Sequence, residues 1–419
     1  MASTLLKSAS LSLLVALFGC SEPASEHTPL ENTAGVSLSN IKQHIKTLAS
    51  DDFQGRGPLT HGEVKTVGYL SEQYKALGLT GAYKGKYLQP VKMAMVTADQ
   101  DMQLKVGDLS FESGKDFTAR TEQLQPLIDV RSSDVVFAGY GINAPEYNWN
   151  DYKNIDVTGK TVVVLVNDPG FATQNDALFT GNAMTYYGRW TYKYEEAARQ
   201  GAKAVFIVHE TAPAAYPWGV VESSNTGTKY TLMDNNLNAS KLPVMGWLTL
   251  DATEQMFNAA KLNYQDLKQA ALNNDFKATP LNLKANLAFK NEVSHAKSHN
   301  VVAQITGSES PDEYVVISAH WDHFGTKQTD TGPKIYNGAV DNATGTAATL
   351  EIARIMSKMN KHKPFRRSII FANFTAEETG LIGSEEFASG AVVPTKQMVG
   401  LLNIDGMNVL DGTDYILQY

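Results

Sequence analysis

With a single cysteine among 419 residues, the chain can form no internal disulfide and no thiolate-ligated structural zinc site. It is also short of long apolar runs. The stretch from Leu11 to Phe18 falls well below the roughly 20 residues that a membrane-spanning helix needs. Positive charge is in deficit: 36 Lys and Arg stand against 44 Asp and Glu, a net charge of -8, which argues against a nucleic-acid partner. A disorder signature is missing too, because 43% of residues are hydrophobic and only 19% charged, so there is material for packed cores. At this length one core is rarely enough, and two domains, or one domain with a large insertion, are expected.

The N-terminus, "MASTLLKSASLSLLVALFGCSEP", has Lys7 ahead of the apolar stretch and Gly19 just before Cys20. This is the layout of an export signal. Leu17-Phe18-Gly19-Cys20 resembles a bacterial lipoprotein box, so residues 1–20 are expected to be removed and Cys20 to carry a lipid anchor. The expected location is the cell envelope or periplasm, with membrane attachment through Cys20 alone.

After a polar tether, two amphipathic helices open the body of the protein. In the second, Val64, Val67, Leu70, Tyr74 and Leu77 follow steps of three and four, and Gly78 is placed as a C-terminal cap. Between the helices, "DDFQGRGPLTHGE" reads as a glycine and proline loop. From about 125 to 285 the pattern changes to short apolar strands bounded by turns, with "KYEEAARQGAKAVFIVHE" a helix feeding a buried strand through Gly201. His209, alone at a strand end, reads as structural. From about 286 onward, apolar strands alternate with helices. The expected fold is therefore α/β, a doubly wound, mainly parallel sheet with a smaller α/β insert, divided as 1–20, 21–124, 125–285 and 286–419.

In such sheets ligands bind beyond the carboxyl ends of the strands. There the sequence places His320 and Asp322 after "EYVVIS", Asp341 ahead of a helix, Glu377 and Glu378 after "SIIFANF", and Asp405 after "GLLNI". Each alone has a bland explanation as a surface pair, a helix cap or a solvated helix start. Together, one imidazole and several carboxylates at successive strand ends suit Zn²⁺ or a similar divalent ion.

The same residues carry a resemblance. "SAHWDHFG", "GAVDNATGTAATLEIAR", "ANFTAEETGLIGSEEFA" and "LLNIDGM", in that order, resemble the ligand motifs of the M28 family of co-catalytic zinc peptidases, a group of aminopeptidases and carboxypeptidases. The likeness covers about 290 to 419 and extends to "LASDDFQGRGPLTHGEVKTVGYLSEQYKALGL"; the 125–285 insert resembles a protease-associated domain. The resemblance implies two zinc ions and peptide substrates. His320 and Asp405 would hold one zinc, Asp341 would bridge, Glu378 would serve the other, Glu377 would be the general base and Asp322 would orient the imidazole.

The family pattern also implies a later histidine as a partner to Glu378. None follows Asp405, the last being His362, so the sequence is expected to be C-terminally incomplete, its second zinc weakly held and this chain by itself to have little or no peptidase activity. His323 is a conceivable substitute for that later histidine, but being adjacent to Asp322 it is expected to face away from the metals. His295 and His299, at i,i+4 spacing, are expected at the opposite edge of the sheet. The leading expectation is a metallo-aminopeptidase. A carboxypeptidase of the same fold, a glutaminyl cyclase and a catalytically silent receptor-like relative stay open; the intact "AEET" favours the two-metal hydrolases over the cyclase.

Overall fold

Apolar strands without a polar face need cover on both sides, and the molecule supplies it in two halves joined by one long strand. The computed structural model describes residues 35–407, so Cys20 and its leader lie outside the described residues. The strands that matter are β1 (Leu88–Ala98), β2 (Phe117–Arg120), β3 (Leu127–Phe137), β4 (Thr161–Leu165) and β5 (Ala204–Val208). They continue with β6 (Val244–Leu248), β7 (Thr279–Ile305), β8 (Ser310–His320), β9 (Arg367–Phe374) and β10 (Met398–Asn403). Across the sheet the order is β10-β8-β9-β7-β3-β4-β5-β6-β2.

The α/β class expected from the alternation is what forms. β8 runs parallel to β9 and β10, and β3 to β6 run parallel in sequence order. β7 is antiparallel to both sets: Val301–Ile305 pairs with β9, and Thr279–Lys290 pairs with β3. One core draws on residues between Val67 and Val393 around β8 and β9, another on residues between Ala98 and Phe289. The strand Thr228–Leu232 returns from the second half to pair with β1, which itself lies along β7.

Two helices precede β1: α1 (Leu38–Leu48), capped at Ser37, and α2 (His61–Ala76), capped at Thr60. α2 ends as its sequence suggests. Gly78 has φ +79°, and the amides of Gly78 and Leu79 donate to the carbonyls of Lys75 and Tyr74, closing the helix with a left-handed glycine. The buried stripe is Val67, Leu70 and Tyr74, whereas Val64 is 64% exposed. At about 100° per residue, Val64 lies roughly 100° from the centre of that stripe, which is too far round to meet the sheet. Tyr74 stacks on Phe371 of β9 with ring centroids 6.1 Å apart. Phe371 is fully buried, so Phe371→Ala is expected to destabilise the fold by about 3–5 kcal/mol, measurable as a lower denaturation midpoint at unchanged m-value.

Gly201, with φ +78°, connects α3 (Trp190–Arg199) to β5 in the second half. His209 is buried there, its Nε2 2.9 Å from the Tyr216 carbonyl and its ring among Tyr216, Trp218 and Trp247, which accounts for it as packing. Lys193 of α3 is a buried cation that periodicity did not flag. Its Nζ donates to the carbonyls of Tyr140, Asn167 and Tyr187 at 2.7 to 2.8 Å, which satisfies all three donors.

Candidate metal centre

β8, β9 and β10 end together because they are parallel and in register: His320 lies opposite Phe374, and Ser318 opposite Asn403. Their trailing loops and the start of α4 (Gly345–His362) therefore meet at one edge. His320 is 2% exposed. Its carbonyl accepts from Thr346 Oγ1 at 2.8 Å, and its Nδ1 donates to the Asp322 carbonyl at 3.1 Å. That fixes a proton on Nδ1 and turns Nε2 toward the carboxylates. Nε2 is 3.1 Å from Asp341 Oδ1, 3.3 Å from Asp405 Oδ1 and 3.9 Å from Glu377 Oε2.

Asp341 is presented by an irregular turn in front of α4, and its peptide bond to Asn342 is cis. Asn342 ties that turn to the end of β10, donating to the Ile404 carbonyl at 3.0 Å and accepting from the Gly345 amide at 2.9 Å. No Cβ is tolerated at Gly345, where it would fall 2.4 Å from both the Ile404 carbonyl oxygen and Asn342 Oδ1. The two glutamates ride on the turn after β9. Asp322 is fully buried and seats them through the main chain, its Oδ1 accepting the Glu377 amide at 3.1 Å and its Oδ2 the Glu378 amide at 3.4 Å. Its carboxylate is 3.7 Å from His320 Nδ1, so the imidazole is oriented chiefly by the Asp322 carbonyl.

Three expectations are corrected or extended by these contacts. His323 faces the site: its Nδ1 is 2.5 Å from Glu378 Oε1. The strand ends at His320, so the period-two alternation that would have pointed His323 away from Asp322 no longer applies. His295 and His299 both lie on β7, and because β7 is antiparallel to β9, the residues before Val301 run past the carboxyl end of β9, on the edge that carries the site. His299 there pairs with Glu63 at 3.2 Å. Neither belongs to a donor cluster among the described residues. Arg56 was missed altogether. It is 1% exposed, lies next to the carboxylates, and its only trace in sequence is a glycine on each side of an arginine in a loop.

Two donor groups result, His320 with Asp341 and Asp405, and His323 with Asp341 and Glu378, each with its ligand atoms within 4.8 Å of one another. Asp341 is common to both. Five carboxylates around two imidazoles repel unless a cation is shared among them. The strain is visible in their protonation. Burial and the charges of Asp322, Glu378 and Asp405 push Glu377 up to about 7, against the pull of His320. Burial would lower His320, but hydrogen bonds to Asp322 and Asp405 and the nearby carboxylate charges outweigh it and hold the imidazolium up to about 11. Asp405 is held below the usual carboxylate range chiefly by its bond from His320. The donor chemistry fits a divalent cation pair: oxygen and imidazole ligands, no thiolate, and one carboxylate positioned between two groups.

Residues 300–419, which contain every one of these donors, match the model of peptidase family M28. Among curated relatives, the chain is 39% identical over 123 residues to "Probable glutamate carboxypeptidase LAMP1" of Arabidopsis thaliana, covering 29% of this chain and 16% of that one. It is also 35% identical over 129 residues to "Aminopeptidase NAALADL1" of Mus musculus, covering 30% and 16%. The chain thus matches about a sixth of the length of these relatives. Among solved structures, an aminopeptidase from Aneurinibacillus sp. strain AM-1 aligns over 88% of this chain and 70% of that chain, at 23% identity and a TM-score of 0.46.

Proposed function

We propose that the protein is a zinc-dependent exopeptidase that releases residues from the N-termini of peptides. The observation that carries this reading is the pair of donor groups sharing Asp341, with the unligated Glu377 beside them. In this assignment His320 and Asp405 hold one ion, His323 and Glu378 the other, and Asp341 lies between. A bound divalent pair lowers the pKa of a water and polarises a carbonyl. Glu377 is the base: its Oε2 accepts a proton from water at the site and returns it to the departing amine nitrogen. Asp322 holds the Glu377 and Glu378 amides, and so aims both side chains. The unit cored between Ala98 and Phe289 is assigned as a protease-associated insert, supported by its resemblance in sequence and by a core of its own. Export as an envelope or periplasmic lipoprotein anchored at Cys20 completes the reading, supported by the leader pattern.

The test is hydrolysis of amino-acid anilides and of N-blocked peptides, with and without a chelator. Turnover of the free-amine substrates is expected to fall by more than about 100-fold on chelation and to return with zinc. Cleavage of the blocked peptides at their C-termini would assign a carboxypeptidase instead, and turnover indifferent to the chelator would overturn the metal reading.

A further inference from the structure

We infer that Arg56 is the positioning residue that holds the two donor groups in register; the inference rests on the metal-dependent reading above. Every acceptor that its guanidinium reaches is a main-chain carbonyl. Nε donates to Trp321 at 2.9 Å, Nη1 to Leu48 at 2.8 Å and to Asn337 at 2.6 Å, and Nη2 to Gly338 at 2.7 Å. Trp321 sits between His320 and Asp322, and Asn337 and Gly338 shortly precede Asp341. The segment 322–337, which holds the hairpin Thr326–Thr329 and Gly332–Ile335, leaves the end of β8 at the first point and enters the turn that carries Asp341 at the second. One planar side chain therefore clamps both ends of the loop and ties them to the end of α1.

The backbone around Arg56 is committed to the same task. Gln54, Gly55 and Arg56 all take left-handed conformations, with φ of 49°, 64° and 52°. This run lays the main chain against both legs of the loop: a Cβ at Gly55 would fall 2.3 Å from the Tyr336 carbonyl oxygen and 2.4 Å from that of Gly325. The Gly325 amide donates to Gly55 at 3.1 Å, and the His323 amide to the Arg56 carbonyl at 3.4 Å. An ordinary buried arginine could staple any loop; what this one staples is the segment with His320, Asp322 and His323 to the segment with Asp341. A lysine keeps the charge but lacks the rigid fork, and its ammonium cannot meet four carbonyls set in this plane.

The deciding experiment titrates the metal-free full chain with Co²⁺, following the absorption spectrum, for wild type, Arg56→Lys, Arg56→Met and Gly338→Ala. Thermal unfolding in chelator is measured in parallel, so that titrations are compared only below the unfolding range. Gly338→Ala approaches the same junction from the other side, since its Cβ would lie 2.6 Å from both Arg56 Nη2 and the His323 ring. Both arginine variants are expected to bind Co²⁺ about 10–100-fold more weakly than wild type with an altered spectrum, the lysine giving no rescue. A folded arginine variant that binds two equivalents with wild-type affinity and spectrum would overturn the assignment. If neither arginine variant folds, Gly338→Ala decides it by the same criterion. A wild-type chain that binds no divalent ion would overturn the metal reading, and this inference with it.

Discussion

Glu377→Gln is expected to lower turnover by about 10²–10⁴-fold while leaving bound metal unchanged. The side chain is preserved in length and shape, and what is lost is the ability to accept a proton. Glu377 belongs to neither donor group, and its Oε2 is 3.9 Å from His320 Nε2, so the substitution leaves the proposed ligands in place. Its seat is untouched as well, because the Glu377 amide is held by Asp322 through the main chain. The measurement is kcat alongside metal content by mass spectrometry. Turnover within a few-fold of wild type would remove Glu377 as the base, and loss of metal would make it a ligand.

Asp341→Ala carries the second large effect, and it falls on binding. Asp341 is the one residue common to both donor groups, so its removal is expected to take bound divalent ion from two equivalents to less than one. Asp405→Ala, which touches only the His320 group, is expected to leave one equivalent at the His323 group. The metal-free fold is expected to change by less than about 0.5 kcal/mol with Asp341→Ala, because the side chain is 52% exposed and solvent screens both its 3.1 Å contact with His320 and its repulsion from the other carboxylates. Equal metal loss in the two variants would contradict the shared position of Asp341. Thermal unfolding with and without chelator separates the binding effect from any effect on the fold.

Much of this site could be read from residue order. His320, Asp341, Glu377, Glu378 and Asp405 each follow an apolar strand or open a helix, and parallel strands ending at one edge bring such residues together. The α2 stripe and its glycine terminator are equally local, since both depend on residues within a turn or two of one another. Misreadings arose where local rules lapse. Val64 fits the spacing of α2 yet falls outside the arc that meets the sheet. His299 was sent to the wrong edge because the direction of β7 relative to β9 is a property of pairing across the sheet.

By itself, the sequence determined the α/β class, the strand ends that carry the carboxylates, and the identity of the proposed base and of most donors. The class and the strand ends follow from hydrophobic period and from charge placed where that period stops; the roles of base and donors are what the resemblance to the M28 motifs implies. Tertiary structure alone decided that His323 turns toward Glu378 and that Arg56 joins the site. Beyond the last strand residue a side chain's direction is set by distant contacts. The carbonyls that hold Arg56 come from residues 8 to 282 positions away, and any residue type can present a carbonyl, so the contact leaves no signature in sequence.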